Sequence, residues 1–502
     1  MTEAAIQSPP SPVALDPATA SRNRVAIVLL LVSVFVVFLN ETVMSVAVPK
    51  IIADFHVTPS AGQWLTTAFA LTAAIVVPVT GWLLQRLNTR PVFITAMSLF
   101  VVGTFLAGIA PTFGVLLVGR VVQASGTAIM LPLLMTTVLT LVPLSDRGRM
   151  MGRISIVMSV APAIGPAVSG LIVDALSWRF IFWIVLPIAA AALLVGILRV
   201  PNVSEPRRSP LDVLSVILSA FAFGGIVYGL SGLGASAEGD ALVAPWIPIV
   251  VGAVFLVLFV VRQLMLQRRD AALLDLRTFR SRTFSITIVM FVIMMVSLFG
   301  VVIVLPFYAQ NVLHTDVLIS GLVLLPGGLI MGLIGPLVGR IYDRYGTRPL
   351  IVPGAVLVSL GFWGLAMLNQ HMSVWFLLLP HILLSIGLGM LFTVLFTVST
   401  SALPPHLYSH GSATLTTLQQ VAGAAGTAVF IALLAAGSAA AGSTDPQRTT
   451  PSQLMEGVHW AFLFGAFVSL IPVVIAFFVR TPKAPELTDA ELETGSIPVA
   501  HH

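Results

Sequence analysis

Asn40 and Glu41 interrupt the apolar run FLNETVMSVAVPK (38–50) with an amide and a carboxylate side by side. An ionised carboxylate at the centre of a membrane helix costs about 2.5–3.5 kcal/mol on insertion scales. Protonation removes that cost, so a modest change of hydration is enough to load or unload a proton at Glu41. Arg120, in LLVGRVVQASG (116–126), is a second charge in an apolar stretch. Its guanidinium stays ionised and needs a partner or water. A titrating carboxylate and an arginine that senses it would make a proton-coupling pair. The plainer readings are an interfacial glutamate near the outer mouth and an arginine bonded to backbone carbonyls of a neighbouring helix.

Other polar and polarizable side chains suit the wall of a binding cavity. Asn40 and Met44 are four residues apart and share a helix face, with Glu41 and Ser45 on the adjacent one. Ser412, Thr416, Gln419, Gln420, Gly423 and Thr427 form a polar and small stripe on an otherwise apolar helix. Two glutamines there are costly unless they meet water, a partner or a ligand. Met44, Trp64, Phe69, Phe307, Tyr308 and His381 supply apolar and polarizable surface for an amphiphile, although each alone is as readily explained by packing.

These residues need elements to hold them, and the bulk composition says which. The chain has 502 residues, 57% apolar and 9% charged, with mean hydropathy +1.03; a soluble domain carries about 25% charged residues. There is no cysteine, which excludes disulfides, thiolate metal sites and cysteine nucleophiles. No glycine-rich phosphate loop surrounds Lys50 or Lys483, the only lysines, so ATP hydrolysis by that route is excluded. Ser231 stands in a Gly-x-Ser-Gly pattern, but the next histidine along the chain is His314, in an outer loop, which argues against an intramembrane serine protease. The apolar runs predict an all-α integral membrane protein with fourteen transmembrane helices. They lie near 25–48, 61–84, 91–110, 113–141, 151–174, 178–198, 211–233, 246–266, 283–309, 317–339, 349–369, 374–402, 410–437 and 457–479.

The basic residues orient these helices. With the N-terminus inside, twenty-one basic residues fall on the cytoplasmic side and three (Lys50, Arg179 and Arg448) outside, with Arg120 within a span. Both termini are expected in the cytoplasm. An internal repeat divides the chain: GWLLQRLNTRPV (81–92) and GRIYDRYGTRPL (339–350) share Gly, Arg, Thr, Arg and Pro at a constant offset of 258. Two homologous halves follow. The expected organisation is a disordered tail over 1–21, a six-helix bundle over 22–200, a linker with two inserted helices over 201–282, a second six-helix bundle over 283–480 and a cytoplasmic tail over 481–502.

This pattern resembles the major facilitator superfamily, in its fourteen-span drug:proton antiporter branch of EmrB/QacA-type and lincomycin-resistance-type exporters. The superfamily's loop signature Gly-x-Leu-x-Asp-Arg-x-Gly-Arg is matched at Gly81, Leu83 and Arg86, and again at Gly339, Asp343, Arg344 and Gly346. Its helix-4 motif is matched at Arg120, Gln123 and Gly126, and the antiporter motif of helix 5 at Gly165, Pro166 and Gly170. LNETVMSVAVP (39–49) resembles the branch's helix-1 motif, with Asn40 at the usual Asp position and Glu41 beside it. The first loop departs from the pattern at Gln85 and Asn88.

The resemblance implies proton-coupled efflux of multiple amphiphilic drugs by alternating access, with no enzymatic activity, cofactor, metal or nucleic-acid partner. The implied assignment gives proton coupling to Glu41 and Arg120. Substrate contact falls to Asn40, Met44, Trp64, Phe69, Gln123, Phe307, Tyr308, His381, Thr416, Gln419 and Gln420. Conformational control falls to Gly81, Arg86, Arg90, Gly165, Pro166, Gly170, Gly339, Asp343, Arg344 and Arg348. A monomer in a bacterial cytoplasmic membrane is expected. Export of one lipid or metabolite is the alternative on the same fold, and proton-coupled import a weaker one.

Overall fold

The computed structural model describes residues 17–143, 146–203, 211–237, 243–443 and 449–479. Arg207, Arg208, Arg448, Arg480 and Lys483, most of the tail expected over 1–21 and the whole tail over 481–502 lie outside the described residues, as does the side chain of Ser45. Every regular element among the described residues is helical. Thirteen helical stretches are long and apolar enough to cross a membrane, so the chain is a multi-pass membrane protein.

The first half comprises α1 (Pro17–Phe55), α2 (Pro59–Arg86), α3 (Thr89–Gly108), α4 (Phe113–Leu141), α5 (Arg147–Ala175) and α6 (Arg179–Arg199). In this bundle α3 packs on α4 and α6, α1 on α5 and α6, and α2 on α4. Helix α5, which carries Arg147, Arg149 and Arg153, is not among the thirteen apolar stretches.

Next come α7 (Val213–Ala237) and α8 (Trp246–Leu266), a hairpin closed by glycine contacts and laid against α2 through α7. Only 17% of the apolar window of α8 is buried, so this helix faces outward along most of its length. The second half comprises α9 (Arg282–Phe307), α10 (Val317–Leu333), α11 (Gly335–Tyr345), α12 (Arg348–Ala366), α13 (Leu378–Ser401), α14 (Tyr408–Ala440) and α15 (Pro451–Ala476).

Two helices depart from the spans expected from hydropathy. Helix α1 was expected over 25–48 but begins at Pro17, inside the segment expected as a tail, and continues to Phe55. Proline suits the first helical turn, where its missing N–H leaves no bond unmade. At the other end nothing stops the helix until His56 takes a left-handed backbone, φ 51°. Glu41 therefore lies 14 residues before the end of α1, about 21 Å along its axis.

The expected helix over 317–339 is instead two helices broken at Ile334. Pro336 has no N–H to offer residue 332, and its ring would clash with that carbonyl, so the chain restarts at Gly335.

Contacts between the halves gather at the arginine-rich end. The α5 glycines meet the α10–α11 glycines there: a Cβ on Gly339 would overlap the Gly148 carbonyl, and one on Gly335 would overlap that of Gly152. Ser155 and Thr393 share a hydroxyl–hydroxyl bond at 2.7 Å, and Thr136 and Ser412 share one at 3.1 Å.

Candidate functional site

The polar centre of the first half is assembled from four helices. Arg120, on α4, is 1% exposed. Its Nη1 donates to Asn40 Oδ1 on α1 at 3.2 Å and to Gln123 Oε1, one turn further along α4, at 2.6 Å. Gln123 Nε2 donates to Thr104 Oγ1 on α3 at 2.7 Å, and the Thr104 hydroxyl donates to the Phe100 carbonyl at 2.6 Å. The Phe69 ring of α2 covers the guanidinium, 4.3 Å from its carbon to the ring centroid. A buried cation is thus held by amide oxygens and an aromatic face, with no carboxylate of the described residues inside ion-pair distance.

Glu41 is the carboxylate in electrostatic range of that cation. It is half-buried, whereas its neighbour Asn40 is fully buried. Two donors in the same cluster, Asn40 Nδ2 and Arg120 Nε, are buried and have no partner.

Helix α1 is held by α5 around this cluster. The Thr42 hydroxyl donates to the Ala161 carbonyl at 3.4 Å, and Ser169 Oγ donates to the Val43 carbonyl at 2.6 Å. Gly165 makes that approach possible, since a Cβ there would overlap the Thr42 side chain. Gly170 faces open space, and Pro166 lies in α5 with its side chain outside the described residues.

Asn40, Phe69, Gln123 and Arg120 therefore meet, with Glu41 beside them. The other expected site residues make their own contacts in the fold. Met44 is fully buried in a core cluster with Leu65, Leu116 and Trp178. Trp64 stacks on Tyr228 of α7, ring centroids 5.8 Å apart. Tyr308 is fully buried in a π-turn, Tyr308–Val312, and its hydroxyl donates to the Asn369 carbonyl at 2.8 Å, while Phe307 packs against the core. His381 Nε2 donates to the Leu324 carbonyl at 3.2 Å across α13 and α10, leaving Nδ1 buried and unpartnered.

The α14 stripe keeps its polarity at one point of special interest. Thr416 returns its hydroxyl to the Ser412 carbonyl at 2.9 Å, but Gln419 Oε1 is buried without a partner. Gln420 is half-buried. The Thr136–Ser412 bond fixes the level of this stripe against α4, and Gln419 lies about 10 Å further from the arginine-rich end.

The conformational residues divide by half. Asp343 accepts the backbone N–H groups of Gly148 and Arg149, both at 2.8 Å, at the start of α5. In the first half Gln85 Nε2 donates to the His406 carbonyl at 3.2 Å, and Gly81 lies against His410 and Ala413 at the start of α14. Arg86, Arg344 and Arg348 are exposed, with Arg344 over the Tyr345 ring. Arg90 is tied through its backbone N–H to Asn202 Oδ1 and through its guanidinium to the Ile197 carbonyl.

Arg147 emerges as a functional candidate that sequence reasoning counted only as a topology marker. It is 6% exposed, donates to the Leu139 carbonyl at 2.7 Å and reaches across to Tyr408 Oη at 3.2 Å and Ser401 Oγ at 3.5 Å. Thr104 was also missed, because a lone threonine in an apolar helix carries no signal until its partner is known.

Comparison with known proteins agrees with this architecture. The Major Facilitator Superfamily profile matches residues 30–427. A transporter of Bacillus subtilis, "Uncharacterized MFS-type transporter YcnB", is 38% identical over 464 residues, covering 92% of this chain and 96% of its own. The "Lincomycin resistance protein LmrB" of Listeria monocytogenes is 40% identical over 453 residues, covering 89% of this chain and 95% of its own. Among solved structures, the human organic anion transporter MFSD10 (TETRAN) superposes with a TM-score of 0.64 at 15% identity, over 90% of this chain and 99% of its own, a likeness of fold. With its two helical bundles meeting at the arginine-rich end and a charged cluster inside the first, this chain is a transporter, not an enzyme, and belongs to the Major Facilitator Superfamily.

Proposed function

We propose that this transporter exports amphiphilic drugs across a bacterial cytoplasmic membrane in exchange for protons, by alternating access. The observation that carries the reading is the Glu41–Arg120 arrangement: a half-buried carboxylate in electrostatic range of a buried guanidinium whose near partners are amides. A proton arriving from outside neutralises Glu41 and weakens its hold on Arg120. Substrate is then released outward and the inward-facing return is favoured. Where the exchange moves net charge, the membrane potential adds about 2.3 kcal/mol per charge per 100 mV.

The arginine-rich end is cytoplasmic in this reading, with both termini there and α5 as a fourteenth span. The relative named for lincomycin resistance supports a drug as cargo, and the resemblance to the antiporter motif in α5 favours export over import. Purified protein in proteoliposomes, given an imposed pH gradient and a panel of cationic and neutral amphiphiles including a lincosamide, tests the proposal. Gradient-dependent movement of several amphiphiles, each accompanied by counterflow of protons, is the expected result. Movement insensitive to the pH gradient would end the antiport reading.

A further inference from the structure

The connection between α8 and α9 holds a pocket of about 400 Å³ that the transport cycle does not use. It is lined by Leu264, Gln267, Arg268, Asp270, Arg277 and Arg280. Arg277 is already engaged: its guanidinium bonds Asp270 at 2.5 Å and Asp275 at 2.5–3.0 Å, with its Nη1 left over. Arg268 and Arg280 are exposed and bond nothing among the described residues. Gln267 Oε1 is buried in the same place with no donor to meet it.

Charge and shape define what fits. Three arginines against Asp270, and against Asp275 behind Arg277, leave a net charge of +1. A phosphodiester carries one negative charge and matches that excess, whereas a zwitterionic headgroup would leave it unbalanced. The unmet Gln267 Oε1 calls for a hydroxyl donor near the phosphate. The pocket also opens beside apolar surface: Leu264 is 45% exposed and Met265 64% on the last turn of α8, the helix that faces outward most fully, and Phe279 is 40% exposed. Basic pockets at the ends of membrane helices bind anionic lipid headgroups.

We propose that this pocket is a binding site for a glycerol-headed anionic phospholipid. Arg268 and Arg280 hold its phosphodiester, Gln267 Oε1 accepts a headgroup hydroxyl, and the acyl chains lie along the end of α8. Because the pocket joins α8 to the segment entering α9, an occupied site ties the inserted hairpin to the second half.

The test is native mass spectrometry of the detergent-purified full chain, titrated with dioleoylphosphatidylglycerol. Dioleoylphosphatidylmethanol, with the same charge and no hydroxyl, and soluble glycerol 3-phosphate serve as comparisons. Dioleoylphosphatidylglycerol is expected to bind more tightly than the phosphatidylmethanol. The double variant Arg268→Ala/Arg280→Ala should weaken both lipids about thirtyfold, the worth of two interfacial arginines. Gln267→Leu should abolish only the preference between the lipids, and Arg269→Ala, an exposed arginine outside the pocket, should change neither. Equal binding by the wild type and the double variant would overturn the site. Equal affinity of the wild type for the two lipids would overturn the role of Gln267. Glycerol 3-phosphate binding as tightly as the lipid would assign the pocket to a soluble phosphate compound instead.

Discussion

Asp343 accepts the Gly148 backbone N–H at 2.8 Å, so a carboxylate from the second half caps the first turn of a helix in the first. Its other oxygen takes the Arg149 N–H at the same distance, so the charge is spent on the positive end of α5 and not on the arginines flanking it in sequence. The equivalent contact in the repeat is a single amide bond from Gln85 to the His406 carbonyl. The two repeated loops are therefore similar in place and unequal in strength.

Asp343→Asn should weaken the clamp by about 1–2 kcal/mol, the scale of one charge-assisted bond. Double electron–electron resonance between labels at the arginine-rich ends of α5 and α11 should show a longer mean distance. Gln85→Ala should shift it far less; equal shifts would contradict the asymmetry.

Glu41→Gln should abolish substrate accumulation driven by a pH gradient while leaving equilibrium substrate binding near the wild-type level. The amide keeps the shape of the side chain but cannot exchange a proton. Proteoliposome uptake alongside binding by tryptophan fluorescence separates the two effects, and uphill transport by the variant would remove Glu41 as the coupling group.

Arg120→Lys should fail to transport, since one ammonium cannot reproduce a planar group that bonds Asn40 and Gln123 beneath Phe69. Arg120→Ala should also lower the melting temperature in detergent, because it orphans buried amide oxygens at about 1–3 kcal/mol each. A variant with lysine that transports normally would show that charge alone suffices.

Gly152→Val should open the arginine-rich end. Its Cβ position overlaps the Gly335 backbone, so any larger side chain pushes α5 away from α11. Cysteines introduced on these two helices in a Gly152→Val background should cross-link more slowly than in the parent, and an unchanged rate would mean that the helices accommodate the bulk.

The α7–α8 hairpin should hold its stability across the neutral range. Arg262 bonds both oxygens of Asp212 at 2.6 Å and, with Ser215, holds its carboxyl down to about 2 against the desolvation that opposes it. A depressed carboxylate contributes stability that is fully present above its unfolded pKa of about 4 and lost as pH falls toward about 2. Asp212→Asn should therefore lower the melting temperature by the same amount at pH 5 and at pH 8. A loss that differs between those two values would point to another titrating partner.

From the sequence alone came the all-helical membrane character of the chain, the places where its arginines gather and the repeat of one loop motif. Those properties rest on hydropathy, charge and spacing, which are local: the span expected over 113–141 is α4 to the residue, and that over 246–266 is α8. The charge at Arg120 was legible for the same reason, since few arginines stand inside an apolar run.

Which way each side chain faces emerged only from the packing of the helices. A helix apolar all round carries almost no amphipathic signal, so a lipid-facing, a core-facing and a cavity-facing residue look alike in sequence. Composition held no sign that Met44 joins a core cluster, that Trp64 stacks on Tyr228 or that Tyr308 bonds the Asn369 carbonyl. Conversely, Arg147 read as one basic loop residue among many until α5 brought it under Tyr408 and Ser401 of the other half. Pairing across distances of 195 or 261 residues is fixed by how the bundles dock, and local sequence holds no record of that docking.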